Sequence, residues 1–146
     1  MKIIELGHVV LYVTGIKKMG NFYRDTLGFP EIVRGQNMAM FSAGRTHHEM
    51  LLIEVGGEPR VKHGAEPGLY HIGFKVANSN AELREVYAHL KKEGVHIIGT
   101  ADHVVTHSIY ILDPDGNEIE LYADVSDAWK KDPKAILAPT RLLDLE

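Results

Sequence analysis

The chain contains no cysteine, so neither a disulfide framework nor thiolate chemistry is open to it. It has no long apolar run, which argues against a membrane-spanning helix. It has no basic run either. Sixteen Lys and Arg stand against 20 Asp and Glu, for a net charge of −4, and that leaves no electrostatic footprint for nucleic acid. The opening "MKIIELGHVV" lacks the pattern of a secretory signal. A cytoplasmic protein with neither nucleic-acid nor membrane partners is therefore expected. The 146 residues, 45% apolar and 25% charged, have an ordinary globular balance and suffice for one domain with a real core. What the chain has in plenty is histidine. Nine are present, several of them where strands are expected.

The sequence repeats itself. "GHVVLYV" (residues 7–13) is echoed by "YHIGFKV" (residues 70–76). A helical pattern follows each. In the first, Ile16, Met19, Phe22, Tyr23 and Leu27 recur at helical spacing before the stop at Gly28. In the second, Leu83, Val86, Tyr87 and Leu90 recur before Gly94, behind a capping box in "SNAE". Strands are predicted at 31–33, 38–42 and 49–55, then at 95–100, 108–112 and 118–122. "DPDGN" (residues 113–117) is a turn signal. The pattern predicts an α+β fold of two βαβββ modules, about 1–58 and 68–125. A linker lies near 56–68, and residues 126–146 form a polar tail of the same single domain.

Strand residues alternate between faces. Val9, Leu11 and Val13 form one apolar face and leave His8 on the other; Ile72, Phe74 and Val76 do the same for His71. Along the hairpin, Ile109, Ile111, Ile119 and Leu121 oppose Ser108, Tyr110, Glu118 and Glu120. If the modules form one curved sheet, His8, His71, Tyr110 and Glu120 share its inner face. A sheet with one face in water gives the same alternation, so the pattern alone leaves both readings open.

The paired modules, with "THHEMLLIEV" (46–55), "GLYHIGFKV" (68–76) and "DHVVTHSIYILDPDGNEIELYAD" (102–124), resemble the vicinal oxygen chelate superfamily. Within it they are most similar to one-domain extradiol dioxygenases of the catechol 2,3-dioxygenase type. That resemblance implies a curved mixed sheet around a metal-binding cleft. It implies Fe(II), with Mn(II) as a possible substitute, held by His8, His71 and Glu120, and a catechol and dioxygen as substrates. His48 is implied at the oxygen site, Tyr110 on a substrate oxygen and His103 near the substrate hydroxyl, with His107 able to share the role of His103. A homodimer or higher homo-oligomer is also implied. No role is expected for His47, which should alternate away from His48, or for His63, His89 and His96. Met38, Met40, Phe41 and Trp129 are candidates to line a pocket, or equally to be core or a dimer contact.

Glyoxalase I-like and epimerase-like relatives are the competing reading. The glyoxalase I type uses a fourth protein ligand, expected in "EMLLIEV" (49–55). The middle of that strand is aliphatic, although Glu49 and Glu54 flank it. A non-catalytic antibiotic-binding protein is the third reading, and retention of His8, His71 and Glu120 argues against it.

Overall fold

The structure, a computed structural model, describes residues 1–59 and 64–146. His63 and part of the expected linker lie outside them. The contacts divide the chain into two compact units, Met1–Val61 with Pro114–Gly116, and Lys62–Asp113 with Asn117–Glu146.

In the first unit, β1 (Val9–Val13) leads into α1 (Ile16–Asn21), which widens into a π-helical turn at Phe22–Thr26. Three strands follow: β2 (Glu31–Arg34), β3 (Met38–Phe41) and β4 (Met50–Glu54). Their order is β1-β4-β3-β2, with β1 and β4 parallel and the other pairs antiparallel. Ile16, Met19 and Tyr23 recur at helical spacing and are buried together with Phe41, Met50 and Leu52. Gly28, at φ +68°, takes the left-handed conformation that ends a helix at low steric cost. The Phe41 ring lies against Tyr23 and Phe29. Of the places its sequence left open, Phe41 takes the core, with 0% exposure.

The second unit repeats the order: β5 (His71–Ala77), α2 (Asn80–Lys92), β6 (His96–Asp102), β7 (Thr106–Leu112) and β8 (Glu118–Asp124). Its sheet runs β5-β8-β7-β6, again with only the first pair parallel. The fold is thus α+β, two βαβββ modules with one four-stranded mixed sheet each. Ser79 caps α2 by accepting from the Glu82 N–H at 3.2 Å, and the Glu82 carboxylate accepts from the Asn78 N–H. The capping box is present, with its second bond displaced by one residue. Ser79→Ala is expected to cost about 1 kcal/mol, read as a lower urea midpoint at unchanged slope.

Two local expectations fail. Val76 is 38% exposed and Ala77 takes the buried place, because a register shift between Lys75 and Ala77 breaks the alternation. The residues after β8 are also more than a polar tail. They form α3 (Ala128–Lys131) and a 3-10 turn (Pro133–Leu137). Arg141 then pairs with Asp102 on the outer edge of β6. Among the described residues, no helix is long and apolar enough to cross a membrane.

Candidate functional site

The second unit holds a connected polar group. The tight turn after β7 fixes the hairpin register, so Tyr110 stands directly across from Glu120. On the other side of β8, the parallel pairing sets Gly73 opposite Glu120 and His71 opposite Glu118. Gly73 has no side chain to intervene, and His71 Nε2 lies 3.2 Å from Glu120 Oε2. A methyl group on Gly73 would stand 3.4 Å from that same oxygen. The other Glu120 oxygen, Oε1, accepts from the Ser108 hydroxyl at 2.6 Å and from the Tyr110 hydroxyl at 3.3 Å. His103 Nε2 meets the Tyr110 oxygen at 2.8 Å. The structure therefore brings His71, Glu120, Tyr110 and His103 together.

Ser108 stands on the same polar face, and its exposure is 0%. A buried hydroxyl needs a partner, and Ser108 has Glu120. The sequence placed Ser108 on the correct face but gave it no role; its register beside Tyr110 was the available signal. Gly73 was likewise overlooked.

The donor pair fits a cation. Two adjacent ligands, each about 2.1 Å from one six-coordinate ion, would lie roughly 3.0 Å apart, close to the 3.2 Å between His71 Nε2 and Glu120 Oε2. The second nitrogen of His71 is buried without a hydrogen bond, and Glu118 Oε1 lies 3.7 Å from it. A carboxylate behind the non-ligating nitrogen is the usual outer support of a metal-bound imidazole.

Burial, followed by the negative charge of Glu120 and the hydrogen bond to it, pushes the Tyr110 phenol up to about 12. It therefore stays a donor throughout the neutral range. Folded Tyr110 holds its proton above the pH at which an unfolded tyrosine, with a pKa near 10, releases it. This stabilisation is complete below about pH 10 and is lost as pH rises toward 12. For the metal-free protein, the ultraviolet titration of the parent minus that of Tyr110→Phe should show a midpoint near 12. A midpoint near 10 would mean an ordinary exposed phenol.

In the first unit, parallel pairing of β1 with β4 sets Val9 beside Met50, and so brings His8 to the loop before β4. Arg45 fastens the approach: its guanidinium donates to the Gly7 carbonyl at 2.9 Å and pairs with Glu5 at 3.3 Å. The His8 and His48 rings are 4.4 Å apart. His47 was expected to point away, but its Nδ1 lies 2.6 Å from that of His48. Residues 47 and 48 precede β4, so strand alternation does not govern them. Desolvation, then the charges of His8 and His47, lower the His48 pKa, and its buried Nε2 has no hydrogen-bond partner. A neutral imidazole with a free nitrogen can accept a proton.

The two flanking carboxylates are occupied. Burial alone would raise Glu49, but N–H donors from Ala43, Arg45 and Thr46 and the Ser42 hydroxyl outweigh it and hold the carboxyl below its usual range. Glu54 accepts from the Ile16 N–H at 2.6 Å, at the start of α1. His107 lies on the face opposite Tyr110, between Asn80 Oδ1 at 3.0 Å and Asp102 Oδ1 at 3.5 Å, and so does not share His103's place. His89 and His96 are exposed. Among the described residues, no three His, Asp or Glu donors are gathered in a metal-holding group.

The model of the Glyoxalase/Bleomycin resistance protein/Dioxygenase superfamily matches residues 5–121. A catechol-2,3-dioxygenase of Bacillus subtilis (strain 168) is 28% identical over 97% of this chain, which spans only 50% of that protein. The metallothiol transferase FosB of Staphylococcus epidermidis is 31% identical over 80% of this chain and 81% of its own length. A glyoxalase/dioxygenase structure from Nostoc punctiforme shares the fold with a TM-score of 0.68, at 18% identity over 84% of this chain and 92% of that one.

Proposed function

The chain belongs to the glyoxalase/bleomycin resistance/dioxygenase superfamily, and on that premise we propose that it is an extradiol dioxygenase, opening a catechol ring beside its two hydroxyls. The proposed ligands are His8, His71 and Glu120, two imidazoles and a carboxylate of the kind that hold non-haem Fe(II). Mn(II) suits the same donors. His8, His71 and Glu120 would hold the ion, and it would supply binding positions that bring a catechol and dioxygen together.

The remaining steps belong to side chains. Tyr110, kept neutral by its surroundings, donates a hydrogen bond to a substrate oxygen and steadies the charge that grows there. His103 sits behind Tyr110 and holds the phenol in position. His48 accepts a proton at its free Nε2 and returns it as the ring opens.

The observation that carries this reading is the pairing of His71 with Glu120 at a separation suited to one ion, with Tyr110 and His103 hydrogen-bonded beside it. Glu49 and Glu54 are engaged by backbone donors, which supports three ligands over the four of the glyoxalase I type. The length over which FosB matches favours a second reading, metal-dependent transfer of a thiol. The test loads the protein anaerobically with Fe(II) and follows dioxygen uptake over a panel of catechols. Thiol consumption is followed in parallel with an electrophilic epoxide. Uptake with at least one catechol, accompanied by a yellow product, is expected. Thiol consumption without oxygen uptake would move the chain to the transferases.

A further inference from the structure

Resting on the dioxygenase reading for the role of His103, we propose that residues 140–146 form a strap that positions His103, with Thr140 as the positioning residue. The strap lies along β6, the edge of its sheet. Arg141 and Asp102 exchange backbone hydrogen bonds of 2.9 and 3.0 Å. The Thr100 hydroxyl donates to the Leu143 carbonyl at 2.7 Å. Leu145 is 5% exposed, an apolar anchor, and Arg84 and Lys91 of α2 hold the Asp144 carbonyl and the Glu146 carboxylate, each at 2.8 Å. This docking sets Thr140 Oγ1 3.1 Å from His103 Nδ1.

Counting hydrogens gives the contact a direction. Glu120 accepts only, so the Tyr110 hydroxyl donates to it. The Tyr110 oxygen must then accept from His103, whose Nε2 carries the proton. With Nε2 protonated in the neutral ring, Nδ1 accepts, and Thr140 is its donor. The chain of donation runs Thr140, His103, Tyr110, Glu120, every member satisfied. The imidazole is held at both nitrogens, and one of the two holds comes from the strap. The turn that carries His103 is itself constrained. Val105 N–H donates back to the His103 carbonyl at 2.8 Å, with Val104 between them at φ +70°, the φ of the rare, strained γ-turn. The backbone there is held in place while the strap fixes the ring.

The experiment uses the full chain, metal-free and with 15N-labelled histidine rings, the His103 signals being assigned by their loss in His103→Gln. Thr140→Val should move the His103 Nδ1 resonance to that of an unbonded acceptor, and Thr140→Ser should leave it in place. Thr100→Val, which loosens the strap without touching His103, should shift it in the same direction by less. In the iron-loaded protein, Thr140→Val should lower kcat roughly 10-fold, the factor one ordinary hydrogen bond sets, with KM for the catechol unchanged and Thr140→Ser restored. A parent-like Nδ1 resonance in Thr140→Val or Thr100→Val, or equal losses of kcat in Thr140→Val and Thr140→Ser, would overturn the strap. If the parent cleaves no catechol, the dioxygenase reading fails, and the ring resonances still decide the strap.

Discussion

Glu120→Ala is expected to lose all tightly held iron on anaerobic gel filtration, and ring cleavage with it. His71→Ala should do the same. A three-donor site missing one donor holds a labile divalent ion poorly. The alanine at 120 would also strand the fully buried Ser108 hydroxyl, at a cost of about 1–3 kcal/mol, so a folding defect could imitate metal loss. Glu120→Gln separates the two effects: its amide oxygen still accepts from Ser108 while the charge is gone. Melting like the parent without iron is the expected result. Glu54→Gln is the clean control, since an amide oxygen can also serve the one Ile16 N–H. Glu49→Gln should likewise keep iron, at some cost in melting temperature, because both Glu49 oxygens accept from backbone N–H groups and an amide offers only one oxygen. Iron retained in Glu120→Gln but lost from Glu49→Gln or Glu54→Gln would reassign the ligands.

Tyr110→Phe should keep iron and lose rate. The phenol is a donor over the whole neutral range, placed between Glu120 and His103. Removing one positioned proton donor costs about 10²–10⁴-fold, and the loss should fall on kcat, measured by stopped-flow absorbance of the ring-opened product. Thr140 and the strap are untouched in this variant, so His103 Nδ1 keeps its partner, while the Nε2 resonance should move because it loses the phenol oxygen. A Tyr110→Phe protein turning over like the parent would make Tyr110 an ordinary hairpin residue.

Most of this hairpin was legible in the sequence, and for a physical reason. A turn as strongly signalled as "DPDGN" fixes register, and register decides that Tyr110 faces Glu120. The side-chain period of two then sorts the faces. Legibility failed where the backbone departs from that period. Val76 was put on the wrong face because of a bulge, and His47 was set aside by a strand rule that does not reach the loop before β4. Thr140 could not be read at all. Its contact with His103 depends on residues 140–146 folding back over β6, and no local pattern announces a pairing between residues so far apart in the chain. The burial of Ser108 was hidden for a similar reason, since alternation names a face but not what covers it.

The central claim is ring cleavage by dioxygen. It is tested most directly by running the iron-loaded protein with its best catechol under ¹⁸O₂ and weighing the ring-opened product. Both labelled atoms should be found in one product molecule, allowing for exchange of the aldehyde oxygen with water. Product that carries no label, or a catechol merely oxidised to its quinone while dioxygen is reduced, would contradict it.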